Sequence, residues 1–192
     1  MSYVDTCVVL MFANKDDVLR KDMDVSKGSI ESIIKNGSFC VPMVALGESV
    51  HMIREKCSKE CMDVLEELMR LLESGFLETR FISDPTATFT LARTISSDTV
   101  DDRDRISPMD ALIVASAATD QTCTALYTSD SRLLSDANVS EVISKWRESQ
   151  DYPYMTIRDM SDLFRSKGSK RHRFHFIRVS RRNASVFPMI VS

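Results

Sequence analysis

The sequence predicts an α/β domain with a central, mostly parallel sheet. Three observations carry that prediction. Short apolar runs alternate along the chain with segments of helical periodicity, the pattern of βα units whose parallel strands need long crossovers. Helix starts are marked by proline, alone at Pro42 and after a capping residue at Asp84-Pro85 and Ser107-Pro108. The 192 residues are 43% hydrophobic and 28% charged, which suits one folded domain with a proper core and excludes a largely disordered chain.

Tyr3 to Phe12 is a nearly continuous apolar run broken by Asp5 and Thr6, read as a strand that ends near Asp5 and passes directly into a helix. Ser29 to Asn36 places Ile30, Ile33 and Ile34 on one helical face, with Gly37 past its end. Phe39 to Val41 is a second strand, and Pro42 opens a helix to about Lys56. Ser58 caps a further helix to about Ser74, with Met62, Leu65, Leu68, Met69 and Leu72 as its core stripe, and Gly75 ends it. Phe76 to Ile82 reads as a strand, and Asp84-Pro85 starts a helix to about Ser96. The polar stretch Ser97 to Arg105 is a loop. Ser107-Pro108-Met109-Asp110 starts the next helix, whose Ala111, Ala115, Ala117 and Ala118 let it lie close to a sheet. Thr124 to Thr128 is a strand, followed by short helical patterns at Arg132–Ser135 and about Ser140–Ser149. Pro153 to Ile157 reads as a last strand and Arg158 to Lys167 as a last helix. Two parts follow: a domain over 1–157 and a basic helix and tail over 158–192.

Charge is unevenly spread. Residues 156–192 hold nine Lys or Arg and two acids, while the rest of the chain holds 16 basic and 26 acidic residues. An acidic body with a basic tail points to a polyanion, most simply a nucleic acid, or else to a solvated extension. In the tail, Lys170, Arg171, Arg173, Arg178, Arg181 and Arg182 are the candidate nucleic-acid contacts. The alternation of Arg173 to Val179 suits phosphate contact and base stacking, a strand added to a partner, or a disordered end. No run reaches the roughly 18 apolar residues of a membrane span, and the first residues lack the basic region of a signal peptide. Cys7, Cys40, Cys57, Cys61 and Cys123 are odd in number, as expected of free thiols in a reducing cytoplasm. Cys57, Cys61 and His51 lack a second ligand pair for structural zinc.

Four acids stand among residues that otherwise read as buried. Asp5 follows the first strand and Asp130 follows the Thr124–Thr128 strand. Glu48 and Asp110 lie in apolar helical starts. Ligand sites of parallel sheets lie off the carboxyl ends of the strands, which would bring such acids together. Buried unpaired carboxylates are costly. With nearby bases expected in polar loops, the natural counter-charge is a hard divalent ion, Mg²⁺ or Mn²⁺. The competing reading is structural: Asp130 and Asp110 as helix-terminal acids, and Glu48 paired with Arg54 or Lys56.

The pieces Tyr-Val-Asp5-Thr6, Val-Pro-Met-Val-Ala-Leu-Gly-Glu48, Ile-Ser-Pro-Met-Asp110-Ala-Leu-Ile-Val-Ala-Ser-Ala-Ala and Leu-Tyr-Thr128-Ser-Asp130 together resemble the PIN-domain family in order, spacing and context. The resemblance covers about residues 1–157. It implies a three-layer α/β/α sandwich and a metal-dependent endoribonuclease acting on single-stranded RNA, either a VapC-type toxin or an RNA-processing enzyme. On it, Asp5, Glu48, Asp110 and Asp130 are the acidic quartet, both metal ligands and catalytic centre. Thr6 and Thr128 are the supporting hydroxyls. The implied partners are RNA, an antitoxin and a second copy of the chain, and the basic tail adds a ribosome-associated contact. The chain is longer than the family's compact toxins, and the tail from Gly168 has no counterpart there.

The implied chemistry is metal-assisted phosphodiester hydrolysis, for which no His, Ser or Cys nucleophile is needed. His51, His172 and His175 are therefore not expected as bases, and Asp101, Asp102 and Asp104 read as a solvated acidic loop. The alternative function is a catalytically silent RNA-binding or protein-scaffold module acting through its basic tail. A phosphatase of the haloacid dehalogenase type is disfavoured, because Cys7 stands where its second aspartate belongs.

Overall fold

The computed structural model describes residues 1–14, 27–56, 61–97 and 106–165. The elements run β1 (Ser2–Val4), α1 (Thr6–Ala13), α2 (Lys27–Asn36), β2 (Phe39–Pro42), α3 (Met43–Lys56), α4 (Cys61–Glu73) and β3 (Leu77–Arg80). They continue with α5 (Pro85–Ser97), α6 (Pro108–Ala118), β4 (Ala125–Thr128), α7 (Ser131–Ser135), α8 (Ala137–Ser149), β5 (Thr156–Asp159) and a 3₁₀ turn over Met160–Phe164. The five strands form one sheet in the order β3-β2-β1-β4-β5, and every pairing is parallel.

Successive strand residues point to opposite faces of a sheet. That alternation divides the interior into two cores and makes the molecule an α/β/α sandwich. Val4 and Val41 face a core with Val8, Phe12, Ile53, Leu68 and Leu71, supplied by α1, α3 and α4. Tyr3, Cys40 and Leu126 face the other core with Leu91, Ile95, Val114, Val139 and Ile143, supplied by α5, α6 and α8. Ala111, Ala115, Ala117 and Ala118 of α6 are fully buried, as their size predicts.

The expected strand-to-helix passage at Asp5 is present: Asp5 is extended and caps α1. Ser107 caps α6, with Pro108 at its start. Asp84 accepts a hydrogen bond from the Ala87 amide at 2.9 Å before α5. Gly75 follows α4 with φ 75°, a left-handed geometry that favours glycine.

Some expectations need correction. Pro42 ends β2 rather than opening the helix, which begins at Met43. The core stripe of α4 is rotated: Val64, Leu68 and Leu71 are buried, whereas Met62 and Met69 are 61% and 58% exposed. The helix expected over 158–167 is instead the end of β5 and the 3₁₀ turn, because Met160 is buried against the first core and holds the chain to the sheet. The last strand thus runs past residue 157. The expected Ser58 cap, Cys57, the acidic loop residues Asp101, Asp102 and Asp104, and the tail from Gly168 lie outside the described residues. No helix among the described residues is long and apolar enough to cross a membrane.

Candidate active site

The sheet order switches at β1. The chain leaves β1 towards β2 on one side, and β4 later adds on the other. Helices leaving strands on the two sides of such a point open a crevice at the strands' carboxyl ends. A cleft of about 720 Å³ lies there, and Asp5, Glu48, Asp110 and Asp130 all line it with Thr6, Cys7, Ser107 and Arg132. Four acids spread over 126 positions of sequence thus line one cleft.

Asp5 is the deepest acid, 4% exposed. Its backbone N–H donates to Tyr127 O at 3.0 Å, which extends the β1–β4 ladder to the floor of the cleft. Its Oδ1 accepts the Thr6 amide at 2.5 Å, and its Oδ2 accepts the Thr128 hydroxyl at 2.7 Å. Burial raises its pKa from 3.8 to about 6, against the lowering effect of the Thr128 and Thr6 hydrogen bonds and with a smaller push from the Asp110 charge.

The two threonines tie the acids together. The Thr6 hydroxyl donates to Glu48 Oε2 at 2.6 Å, so Asp5 and Glu48 are joined through one residue. Thr128 Oγ1 accepts the Asp130 amide at 3.0 Å while donating to Asp5. Both hydroxyls thus hydrogen-bond to acids of the cleft. Glu48 makes this contact, and the described residues show no ion pair between it and Arg54; the other expected partner, the Lys56 side chain, lies outside the described residues.

Asp110 and Asp130 form the second half of the cleft. The Ser107 hydroxyl donates to Asp110 Oδ2 at 2.7 Å and accepts the Asp110 amide at 3.0 Å. Asp130 caps α7 and accepts the Arg132 amide at 2.8 Å. The Arg132 side chain then bridges the two acids. Its Nε lies 3.0 and 3.1 Å from the Asp130 oxygens, and its Nη2 pairs with Asp130 Oδ2 and with Asp110 Oδ2, the latter at 3.0 Å. Burial works against ionisation of Asp130, but the Arg132 hydrogen bonds and charge outweigh it and hold the carboxyl below its usual range.

This arrangement corrects the expectation that the nearby bases stay in polar loops. Arg132 is a direct counter-ion to two of the four acids. A signal for it was present: a base two residues after a helix-capping Asp lies in the first turn beside that Asp. Ser107 and Cys7 are further lining residues that sequence reasoning did not assign. Cys7 Sγ accepts the Ser129 amide at 3.1 Å and lies 3.5 Å from Asp5 Oδ2. Burial and then the Asp5 charge push its thiol up to about 12, so it stays protonated at neutral pH and is a poor nucleophile. His51 lies on α3 and pairs with Glu55 at 3.2 Å.

The donor chemistry fits a hard divalent cation, since all four acids offer carboxylate oxygen and the soft donor beside them, Cys7, is held as a neutral thiol. The acids are not drawn into a tight cage. Among the described residues, no three His, Cys, Asp or Glu side chains stand at ion-holding spacing. Hydroxyls and Arg132 hold them instead.

No family model matches this chain, and no curated protein matches it. Among solved structures it is similar to a chain of VapBC2 from Rickettsia felis, crystallised bound to a DNA fragment from its promoter. The match covers 83% of this chain and 98% of that one, at 17% identity and a TM-score of 0.48. A likeness at that level carries no argument, and the site stands on its own residues.

Proposed function

We propose that this chain is a Mg²⁺- or Mn²⁺-dependent endoribonuclease that hydrolyses phosphodiester bonds in single-stranded RNA, with Asp5, Glu48, Asp110 and Asp130 as its metal ligands and catalytic centre. The observation that carries this reading is the meeting of four sequence-distant carboxylates in one cleft at the switch point of a parallel sheet. Their order and context along the chain resemble the PIN family, which adds single-stranded RNA as substrate and an antitoxin-type protein as partner.

The four acids would hold the cation. When bound, it would supply positive charge to the phosphate and acidify the attacking water. The chain's own part is to orient and to exclude rivals. The Thr6 amide and the Thr128 hydroxyl fix both Asp5 oxygens, and the Thr6 hydroxyl aims Glu48 into the same space. Ser107 fixes Asp110. Cys7, held as a neutral thiol, leaves water as the nucleophile.

The test is incubation of a mixed-sequence single-stranded RNA with Mn²⁺, with EDTA, and with an Asp110→Asn variant. Cutting that needs both the metal and Asp110 supports the proposal. One observation favours a second reading, a non-cleaving RNA-binding or scaffold module: Arg132 already neutralises two of the acids without a metal. In that case RNA binding persists without cutting and is lost on deleting residues 168–192.

A further inference from the structure

Arg132 occupies a singular position among the cleft residues. One guanidinium reaches Asp130 through Nε and Nη2 and Asp110 through Nη2, so a single positive charge compensates two carboxylates. Its side chain is 41% exposed, while those of Asp110 and Asp130 are 17% exposed. The base is thus more open to solvent than the two acids it holds. A guanidinium does not give up its proton at accessible pH. A cation arriving at Asp110 and Asp130 therefore cannot gain those oxygens by deprotonating the base. It has to displace it.

We propose that Arg132 is a built-in competitor for the divalent cation, and that cation binding at Asp110 and Asp130 and release of Arg132 are one exchange. The proposal rests on the metal-dependent reading above. Its physical content is a lowered apparent affinity, because the binding-competent state is only the fraction of molecules in which Arg132 has swung off the acids. Asp110 Oδ2 and Asp130 Oδ2 converge on one nitrogen, Nη2, so the guanidinium holds the point between the two acids that a shared cation would need. Removal of the fork leaves two carboxylates of like charge with no partner between them, which favours any cation that can take its place.

The experiment is calorimetric titration of Mn²⁺ into the wild-type chain, Arg132→Gln and Arg132→Lys, with Asp110→Asn as the control that the titration reads this cleft. Thermal unfolding of the same proteins is followed with and without Mn²⁺. Arg132→Gln binds Mn²⁺ about tenfold more tightly than wild type, roughly 1.4 kcal/mol. Metal-free, it unfolds at a lower temperature than wild type, and Mn²⁺ raises that temperature by more than it does in wild type. Arg132→Lys, which keeps the charge but not the fork, falls between the two. A merely structural role for Arg132 would lower the unfolding temperature and leave the Mn²⁺ affinity unchanged or weaker, and that result overturns the proposal. Mn²⁺ binding of equal strength in all three overturns it alone and leaves the metal-dependent reading standing. No Mn²⁺ binding by any of them, with each folded by circular dichroism, overturns both.

Discussion

Asp5 is held in a place that its charge opposes. It is 4% exposed and its pKa is raised from 3.8 to about 6, chiefly by burial. An acid whose folded pKa exceeds its unfolded value keeps its proton longer in the folded state. Between about pH 4 and about pH 6 the folded state then binds more protons than the unfolded one, and stability falls as pH rises through that window. Without metal the full loss approaches about 3 kcal/mol as an upper bound. Asp5→Asn removes the titration. In EDTA, urea unfolding at pH 4 and pH 7 should show wild type losing stability relative to Asp5→Asn as the pH rises, and parallel pH profiles contradict the assignment. At this scale the candidate acids were legible, because an acid inside an apolar run is conspicuous. Arg132 was legible only as a neighbour of the capping Asp130; its reach to Asp110, 22 positions back, is a property of how α6 and α7 meet.

The helices that carry the acids begin with a local chemical signal. Ser107 caps α6 with its hydroxyl on the Asp110 amide, and the same hydroxyl donates to the Asp110 carboxylate. Ser107→Ala should cost about 1 kcal/mol of stability through the lost cap. It also releases Asp110 within the cleft, so metal-dependent cleavage should fall further than the stability loss alone explains. Ser107→Thr, which keeps an oxygen there, should retain most of both in denaturant unfolding and RNA cleavage assays. A Ser107→Ala protein of unchanged stability would remove the cap argument. Caps of this kind made α5 and α6 readable. The face of α4 was not readable, because Met62, Leu65, Leu68, Met69 and Leu72 also form a regular apolar series. Packing against α1, α3 and β3 selects Val64, Leu68 and Leu71 as the buried line, with Leu65 and Leu72 half-buried beside it. The last helix was misplaced for a related reason: pairing with β4 carries the strand to Asp159, and the buried Met160 begins the 3₁₀ turn that follows.

Across the whole molecule, the end of the sheet opposite the cleft is tied by one buried cation. Arg147 is 1% exposed and donates to the carbonyls of Ala118, Asp120, Gln121, Cys123 and Pro153 at 2.5 to 3.3 Å. It joins α8 to the turn before β4 and to the chain entering β5, and so sets the position of the strands whose far ends carry Asp130. Arg147→Met leaves those carbonyls without their donor and should cost roughly 3 kcal/mol or more, seen as a large fall in unfolding temperature. Arg147→Lys should not restore it, because an ammonium has three donors and no planar fork. Metal-dependent cleavage at low temperature should survive in either variant that folds. The parallel sheet itself was legible from alternating strands and helices. The order β3-β2-β1-β4-β5 was not, because it depends on which edge each crossover takes, and that order is what gathers the acids.

The central claim is that the four carboxylates act as one unit. The direct measurement is the rate of Mn²⁺-dependent cleavage of single-stranded RNA by wild type, Asp5→Asn, Glu48→Gln, Asp110→Asn and Asp130→Asn, with the double variant Asp5→Asn/Asp110→Asn beside them. Each single variant should lose on the order of 100-fold or more, and the double should lose little beyond the worse single, as groups serving one function do. Cleavage that persists at the wild-type rate in any one of the four, or losses that simply multiply, would contradict it.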